Sequence, residues 1–328
     1  MTTFLLTAGV LLVLFAAIEL YLRLADVADP PSFNADPRFG FVMHPNQSVS
    51  TRGRRFWINN LGLRGPDVGP KQERERRIVF IGDSLAYGGG RVLESELFVT
   101  LIAKNVATIR GELVSSINVS VPGWGIQNMA DFITARGLFE ADVVVWTLSS
   151  PTFRRPKTLM HQFGFPSRRP RSRLLFVTRS WLRRPLSALR PATVPRQPPR
   201  TRHASDNIDA LAASLQVVRS VAVPMVVVAV PGEMGYGRLA SEVPRFQAAV
   251  AAHGAVFTDL TFAFKDTRRH ESRLFTDGVH LSPDGHRVVA EAVLPLVASA
   301  LASRLDSALT SLHKCRAASG RAAAGRSG

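Results

Sequence analysis

Three side chains in this chain have the types and spacing for covalent chemistry at a carbonyl. Ser84 ends the run Ile78-Val-Phe-Ile-Gly-Asp-Ser84, where an apolar segment gives way to small and polar residues. Nearly two hundred residues later, Asp277-Gly-Val-His280 sets a carboxylate and an imidazole three residues apart, just ahead of Ser282-Pro283. A serine hydroxyl is a weak nucleophile until a base takes its proton. An imidazole serves as that base when a carboxylate holds its other nitrogen. Together the two segments hold the inventory for acyl transfer to and from a serine.

The local sequence suits both placements. Gly82 before Asp83-Ser84 permits a tight turn at a strand end, since glycine adopts backbone angles other residues avoid. In Asp277-x-x-His280 a turn aims both side chains the same way, so that the carboxylate accepts the Nδ1 hydrogen and Nε2 stays free to take a proton. Ser282 followed by Pro283 has the form of an N-cap with proline in the first helical turn, which ties that turn to a rigid element. Each segment alone has a plainer meaning: an ordinary strand-to-helix turn, or a structural histidine beside a turn-forming aspartate.

The elements that must carry these residues follow from hydropathy. Runs rich in Val and Ile at 77–81, 113–119, 142–148, 223–230 and 255–260 are apolar at consecutive positions, as strands covered on both faces are. Amphipathic stretches at 93–109, 126–139, 207–221, 239–252 and 283–301 alternate with them. Alternation of this kind predicts a three-layer α/β sandwich around a parallel five-stranded sheet. Ligands of such sheets sit at the C-terminal strand ends, where Ser84 falls.

The ends and one insertion lie outside that rhythm. An apolar run opens at Phe4 and closes at Leu24, with no charge before Glu19. As a helix it spans roughly 30 Å, one hydrocarbon core. It reads as a transmembrane anchor (residues 1–25), with a cleaved signal peptide as the alternative. Residues 26–75 show no clear periodicity and are expected to form an irregular segment packing on the core. Residues 76–303 form the main domain, and 304–328 a disordered basic tail. The net charge of +16 has one source: residues 153–203 hold 14 Lys and Arg, leaving +2 elsewhere. No nucleic-acid-binding signature accompanies them, so nucleic acid is not an expected partner. From Arg173 to Arg190 the insertion places Leu174, Leu175, Thr178, Trp181, Leu182 and Leu189 near one helical face, with arginines on the remainder. That pattern suits a membrane surface, or else a solvated insertion packed on the domain. The single Cys315 and the scattered histidines give no metal site, and no cofactor is expected.

From the first strand to the last helix, roughly 76–303, the chain resembles the SGNH (GDSL-type) hydrolases. Gly82-Asp83-Ser84 matches the first block of that family and Asp277-x-x-His280 the last. Asn118-Val-Ser-Val-Pro-Gly123 resembles the second, whose glycine gives a backbone N–H to the oxyanion hole. The resemblance implies a flavodoxin-like SGNH fold, Ser84, His280 and Asp277 as catalytic residues, and the N–H groups of Ser84 and Gly123 around the oxyanion. The third block departs from the family, whose Gly-x-Asn-Asp contributes an asparagine donor. Here Trp146-Thr-Leu-Ser-Ser-Pro-Thr-Phe153 has neither Asn nor Asp, so the position is either filled by a hydroxyl of Ser149, Ser150 or Thr152 or left open. Asn59-Asn60-Leu-Gly62-Leu-Arg64-Gly65 is similar to a stretch found in membrane-anchored bacterial members. Arg64 there either fixes the N-terminal segment to the core or meets an acidic substrate.

The function expected from these residues is that of an anchored, single-pass serine esterase outside the cytoplasm. Its substrates would be O-acyl groups, acetyl foremost, on an envelope glycan or lipid, with hydrolysis and transfer both open. The alternative is a non-catalytic relative that binds glycan or an assembly partner, since the third block is altered. A surface binding membrane or anionic polymer through residues 153–203 is compatible with either.

Overall fold

Strands β5 (Arg76–Gly82), β6 (Val114–Ser120), β7 (Val143–Ser149), β8 (Met225–Val230) and β9 (Val256–Asp259) form one parallel sheet in the order β6-β5-β7-β8-β9. They belong to a computed structural model that describes residues 1–51, 53–179, 200–233, 235, 237, 240–268 and 273–324. Every residue of β7 and β8 is buried, as expected of strands covered on both faces. Alternate residues of β5 serve the two layers. Val79 and Ile81 face a core shared with α4 (Ile126–Arg136), α5 (Arg200–Ser220) and α6 (Val243–Ala252). Ile78 and Phe80 face α3 (Phe98–Arg110), α7 (Thr261–Arg268) and α8 (Pro283–Ala324). The predicted three-layer sandwich and five-stranded parallel sheet are present.

The chain enters the sheet at β5, then adds β6 on one side and β7 on the other. That reversal leaves a crevice at the C-terminal end of β5, where such sheets bind ligands. The four-residue helix α2 (Ser84–Tyr87) starts there.

Two stretches depart from the sequence expectation. Residues 26–75 are not irregular: they hold two antiparallel hairpins, β1 (Phe33–Asp36) with β2 (Gly40–Met43), and β3 (Gln47–Thr51) with β4 (Arg54–Ile58). Strands of four or five residues between Pro- and Asn-rich turns are too short to show a period. Their side chains pack on the domain nonetheless, with Phe39, Phe41, Met43, Val49 and Ile58 fully buried in the first core. The last helix also runs on past its expected end to Ala324, so the tail expected to be disordered is helical through that residue. Its alanines, leucines and basic residues are good helix formers, which a reading of low complexity overlooks.

Helix α1 (Thr2–Leu24) has the length and hydropathy of a membrane span and buries none of its residues. The first 22 residues of α8 also reach that length and hydropathy, but more than a third are buried, several against α3. They form a core helix. Residues 180–199 of the basic insertion, with Trp181, Leu182, Leu189 and Arg190, lie outside the described residues. Arg64 is 1% exposed and its guanidinium is fully engaged. It donates to Glu94, to the Tyr87 carbonyl and to the Val92 carbonyl, and lies over the Phe56 ring at 4.5 Å. Arg64 thus fastens the N-terminal hairpins to the loop after α2 and is closed to a substrate.

Candidate active site

The turn into α2 is built around two close approaches. A Cβ on Gly82 would collide with the Thr147 hydroxyl and come within 2.7 Å of the Ala86 side chain. Glycine is therefore required by the nearness of β7 and α2 rather than by a left-handed backbone, since Gly82 has no positive φ. Asp83 caps α2, accepting the Leu85 N–H at 2.9 Å. Asn118 on β6 donates to the Ala86 carbonyl at 3.0 Å, tying the short helix to the neighbouring strand. Ser84 is left half-buried at the crevice.

The structure brings Asp277 and His280 to this serine. His280 Nε2 lies 3.0 Å from Ser84 Oγ, and His280 Nδ1 lies 2.8 Å from an Asp277 carboxylate oxygen. With Nδ1–H donating to Asp277, Nε2 is the acceptor that faces the serine O–H. The other Asp277 oxygen accepts the N–H groups of Val279 and His280. Burial opposes the charge on Asp277, but those amides and the imidazole outweigh it, so its carboxyl sits well below the usual carboxylate range. Arg91 adds an ion pair to Asp277 at 3.0 Å. The turn is braced by Thr276 N–H donating to the His280 carbonyl and by Ser282 Oγ accepting the Gly285 N–H at the start of α8.

Gly123 lies in the loop after β6 with φ +89°, and its neighbour Pro122 borders the pocket over Ser84. The Phe163 ring rests on Gly123 so closely that an added Cβ would be 2.7 Å from it. That pocket has a volume of about 250 Å³. Its walls are Phe33 and Phe56 from the hairpins, Phe165 and Pro166 from the insertion, and Tyr87 and Arg91 beside Ser84 and His280.

The three hydroxyls considered for the oxyanion each donate to another acceptor. Ser149 is buried and donates to Asp83 at 2.6 Å. Thr152 donates back to the Ser149 carbonyl at 2.5 Å, and Ser150 to the Gly235 carbonyl at 3.3 Å. Each adds a hydrogen bond to a buried or half-buried acceptor. A different residue of this loop stands out. Arg155 Nη1 lies 3.2 Å from an Asp83 carboxylate oxygen and 3.0 Å from the Trp124 carbonyl. It therefore bridges the residue before Ser84 and the residue after Gly123. Asn207, fully buried on α5, holds the Thr152, Phe153 and Arg155 carbonyls in place. Sequence reasoning missed Arg155 because its charge is lost among the 14 basic residues of the insertion. Only its nearness to the third block set it apart. Among the described residues no three His, Cys, Asp or Glu side chains gather as a metal site.

The chain matches no curated protein. Among solved structures it is similar to a catalytic mutant of an acetylxylan esterase from Geobacillus stearothermophilus, at 12% identity over 67% of this chain and 93% of that one, with a TM-score of 0.46. It is also similar to a lipase/acylhydrolase from Enterococcus faecalis, at 16% identity over 68% and 96% of the two chains, with a TM-score of 0.45. The family model of the GDSL-like lipase/acylhydrolases matches residues 80–288, well over half the chain and the stretch from the Ser84 turn into α8. The chain belongs to the GDSL-like lipase/acylhydrolase family.

Proposed function

We propose that this chain is a serine esterase that forms an acyl-enzyme on Ser84 and acts on short O-acyl groups, acetyl foremost, of an envelope glycan or lipid. The observation that carries the reading is the continuous hydrogen-bonded line from Ser84 through His280 to Asp277 at the mouth of the crevice. Ser84 Oγ attacks the ester carbonyl while His280 Nε2 takes its proton. The carbonyl oxygen gains charge against the N–H groups of Ser84 and Gly123. Collapse breaks the bond to the alcohol, which receives the proton from His280 and leaves. Water, or a sugar hydroxyl, then attacks the acyl-enzyme with His280 again as base, giving hydrolysis or transfer. Asp277 holds the imidazole tautomer and stabilises the imidazolium. A pocket of about 250 Å³ is larger than a benzene-sized cavity of about 150 Å³ and smaller than most drug-sized sites. It suits a short acyl group with part of its carrier. Helix α1 is taken as the anchor, with the domain outside the cytoplasm.

A second reading is favoured by one observation: the hydroxyls of the loop after β7 are all committed to the scaffold. On that reading the chain binds an acylated glycan or an assembly partner with little turnover. Fluorophosphonate labelling of the full chain in detergent, with p-nitrophenyl acetate hydrolysis in parallel, separates the two. An esterase labels at Ser84 and loses both signals in Ser84→Ala. A chain that neither labels nor hydrolyses overturns the esterase reading and leaves the binding one.

A further inference from the structure

The end of α1 is held by the same segments that wall the pocket. Near the last turn of α1, the Glu19 carboxylate accepts the Ser172 hydroxyl and the N–H groups of Arg173 and Leu174. Arg173 returns the contact: its guanidinium donates to the Leu22 carbonyl at 2.9 Å, capping the helix end, and to Asp29 at 2.9 Å. Arg23 donates to the Arg171 carbonyl, and Arg169 pairs with Asp29. From there the two strands of chain run together into the site. Phe33 N–H donates to the Pro166 carbonyl at 2.9 Å, and the Phe33 and Phe165 rings stack at 4.2 Å. Phe33, Phe165 and Pro166 are pocket walls, as are Pro30 and Pro31.

Distance gives this arrangement its meaning. The 23 residues of α1 make a helix of about 35 Å, against a hydrocarbon core of about 30 Å. The first charged side chain is Glu19, so the clamp sits at the boundary of the bilayer. From Glu19 the helix rises about 7.5 Å to Leu24, and the six residues on to Pro30 add at most about 21 Å even if fully extended. An anchor joined by a free linker would let the domain roam. One clamped by two ion pairs and at least five hydrogen bonds sets the pocket at a fixed height.

We propose that the acyl ester this site takes is carried by a membrane-resident molecule, presented at a set height of no more than about 30 Å above the bilayer, and not by a soluble one. The proposal rests on the esterase reading and on α1 as a retained span. The pocket size complements it, because it takes the short acyl group and not a membrane lipid's long chain.

The test uses the full chain in phosphatidylcholine vesicles. Umbelliferyl acetate is tethered to phosphatidylethanolamine headgroups through ethylene-glycol spacers of graded length, with soluble 4-methylumbelliferyl acetate as reference. A pocket at fixed height works best when the spacer matches that height, since effective concentration peaks there and vanishes when the tether cannot reach. The expected result is a turnover maximum at one spacer length, about 10²-fold above the soluble ester at equal bulk concentration. In Arg169→Gln/Arg173→Gln, with the clamp loosened, the maximum flattens while turnover of the soluble ester stays within about twofold. The wild-type profile decides alone if that variant fails to fold. Turnover of the soluble ester with no advantage for any tethered one, or a rate independent of spacer length, overturns the proposal and leaves the esterase standing. Turnover of neither overturns both.

Discussion

Two short segments touch the Ser84 turn, and they spend their polar atoms in opposite ways. In the turn 277–280, the carboxylate and imidazole line up toward the serine hydroxyl, and backbone N–H groups feed the carboxylate. In the loop 149–155, the hydroxyls of Ser149, Ser150 and Thr152 all donate into the scaffold. Both segments hold residues of the right type in the right neighbourhood. What separates them is competition. Asp277 and His280 find partners within their own turn and leave Nε2 to spare. Ser149 lies beside the buried carboxylate of Asp83, and a hydrogen bond to that charge is worth more than a hydroxyl gains by facing a pocket. Position and residue type are necessary for a role in chemistry; what the neighbours consume decides it.

The largest expected effects fall on the turn. Ser84→Ala should reduce p-nitrophenyl acetate turnover to background, and Asp277→Asn should lower kcat by up to about 10⁴-fold, because the amide no longer holds the productive imidazole tautomer. If Asp277→Asn keeps more than a tenth of the activity, the turn is not organised for proton transfer and the contrast between the two segments disappears.

A smaller effect is expected at the one residue of the loop that faces both halves of the site. Arg155 neutralises buried Asp83 and ties it to the Trp124 carbonyl with one nitrogen. Lysine keeps the charge without the planar fork. Arg155→Lys should therefore lower kcat by about tenfold to a hundredfold, with KM changed by less than about threefold. A larger rise in KM with kcat intact would place Arg155 in substrate binding instead.

The sequence revealed the site unevenly, for physical reasons. The five buried strands were visible because both faces are covered, which makes their residues apolar in unbroken runs. Ser84, Asp277 and His280 were visible because turn chemistry and catalytic type coincide within a few residues. The hairpins at 33–58 were not visible, since strands of four or five residues show too little alternation and their burial depends on packing against α4 and the insertion. The destinations of the Ser149, Ser150 and Thr152 hydroxyls were equally hidden, because their acceptors are Asp83, a carbonyl 85 residues away and a local carbonyl. The clamp on Glu19 joins residues about 150 apart in sequence, beyond the reach of any local pattern.

Ser149 gives the converse of Arg155. Removing its hydroxyl leaves Asp83 short of one hydrogen bond without touching the site, so Ser149→Ala should cost about 1–3 kcal/mol of stability in urea unfolding. Turnover by the folded fraction should stay within about threefold of wild type. A hundredfold loss of kcat with stability unchanged would mean that the hydroxyl swings toward the oxyanion after all.

The gentlest expected effect separates two histidines of one motif. His280 is half-buried in its turn, while His286, six residues on, is fully buried in α8, stacked on Phe98 and accepting the Phe98 N–H through Nδ1 at 3.3 Å. Among the described residues its Nε2 has no partner. Burial, with the positive charge of Arg64 as a second cause, pushes the imidazole down to about 3, against about 6.5 in an unfolded chain. Between these values the unfolded state binds the extra proton, so the folded state is favoured fully above pH 6.5 and loses ground as the pH falls. The loss approaches about 1.4 kcal/mol per pH unit. The depressed carboxyl of Asp277 acts in the same direction, but only from about pH 4 downward. Urea unfolding of the full chain in detergent at pH 7.5, 6.5 and 5.5 should show this decline, and His286→Gln, which keeps an acceptor without a titrating group, should flatten it. An equal slope in both proteins would assign the sensitivity to another group and leave His286 a silent part of the core.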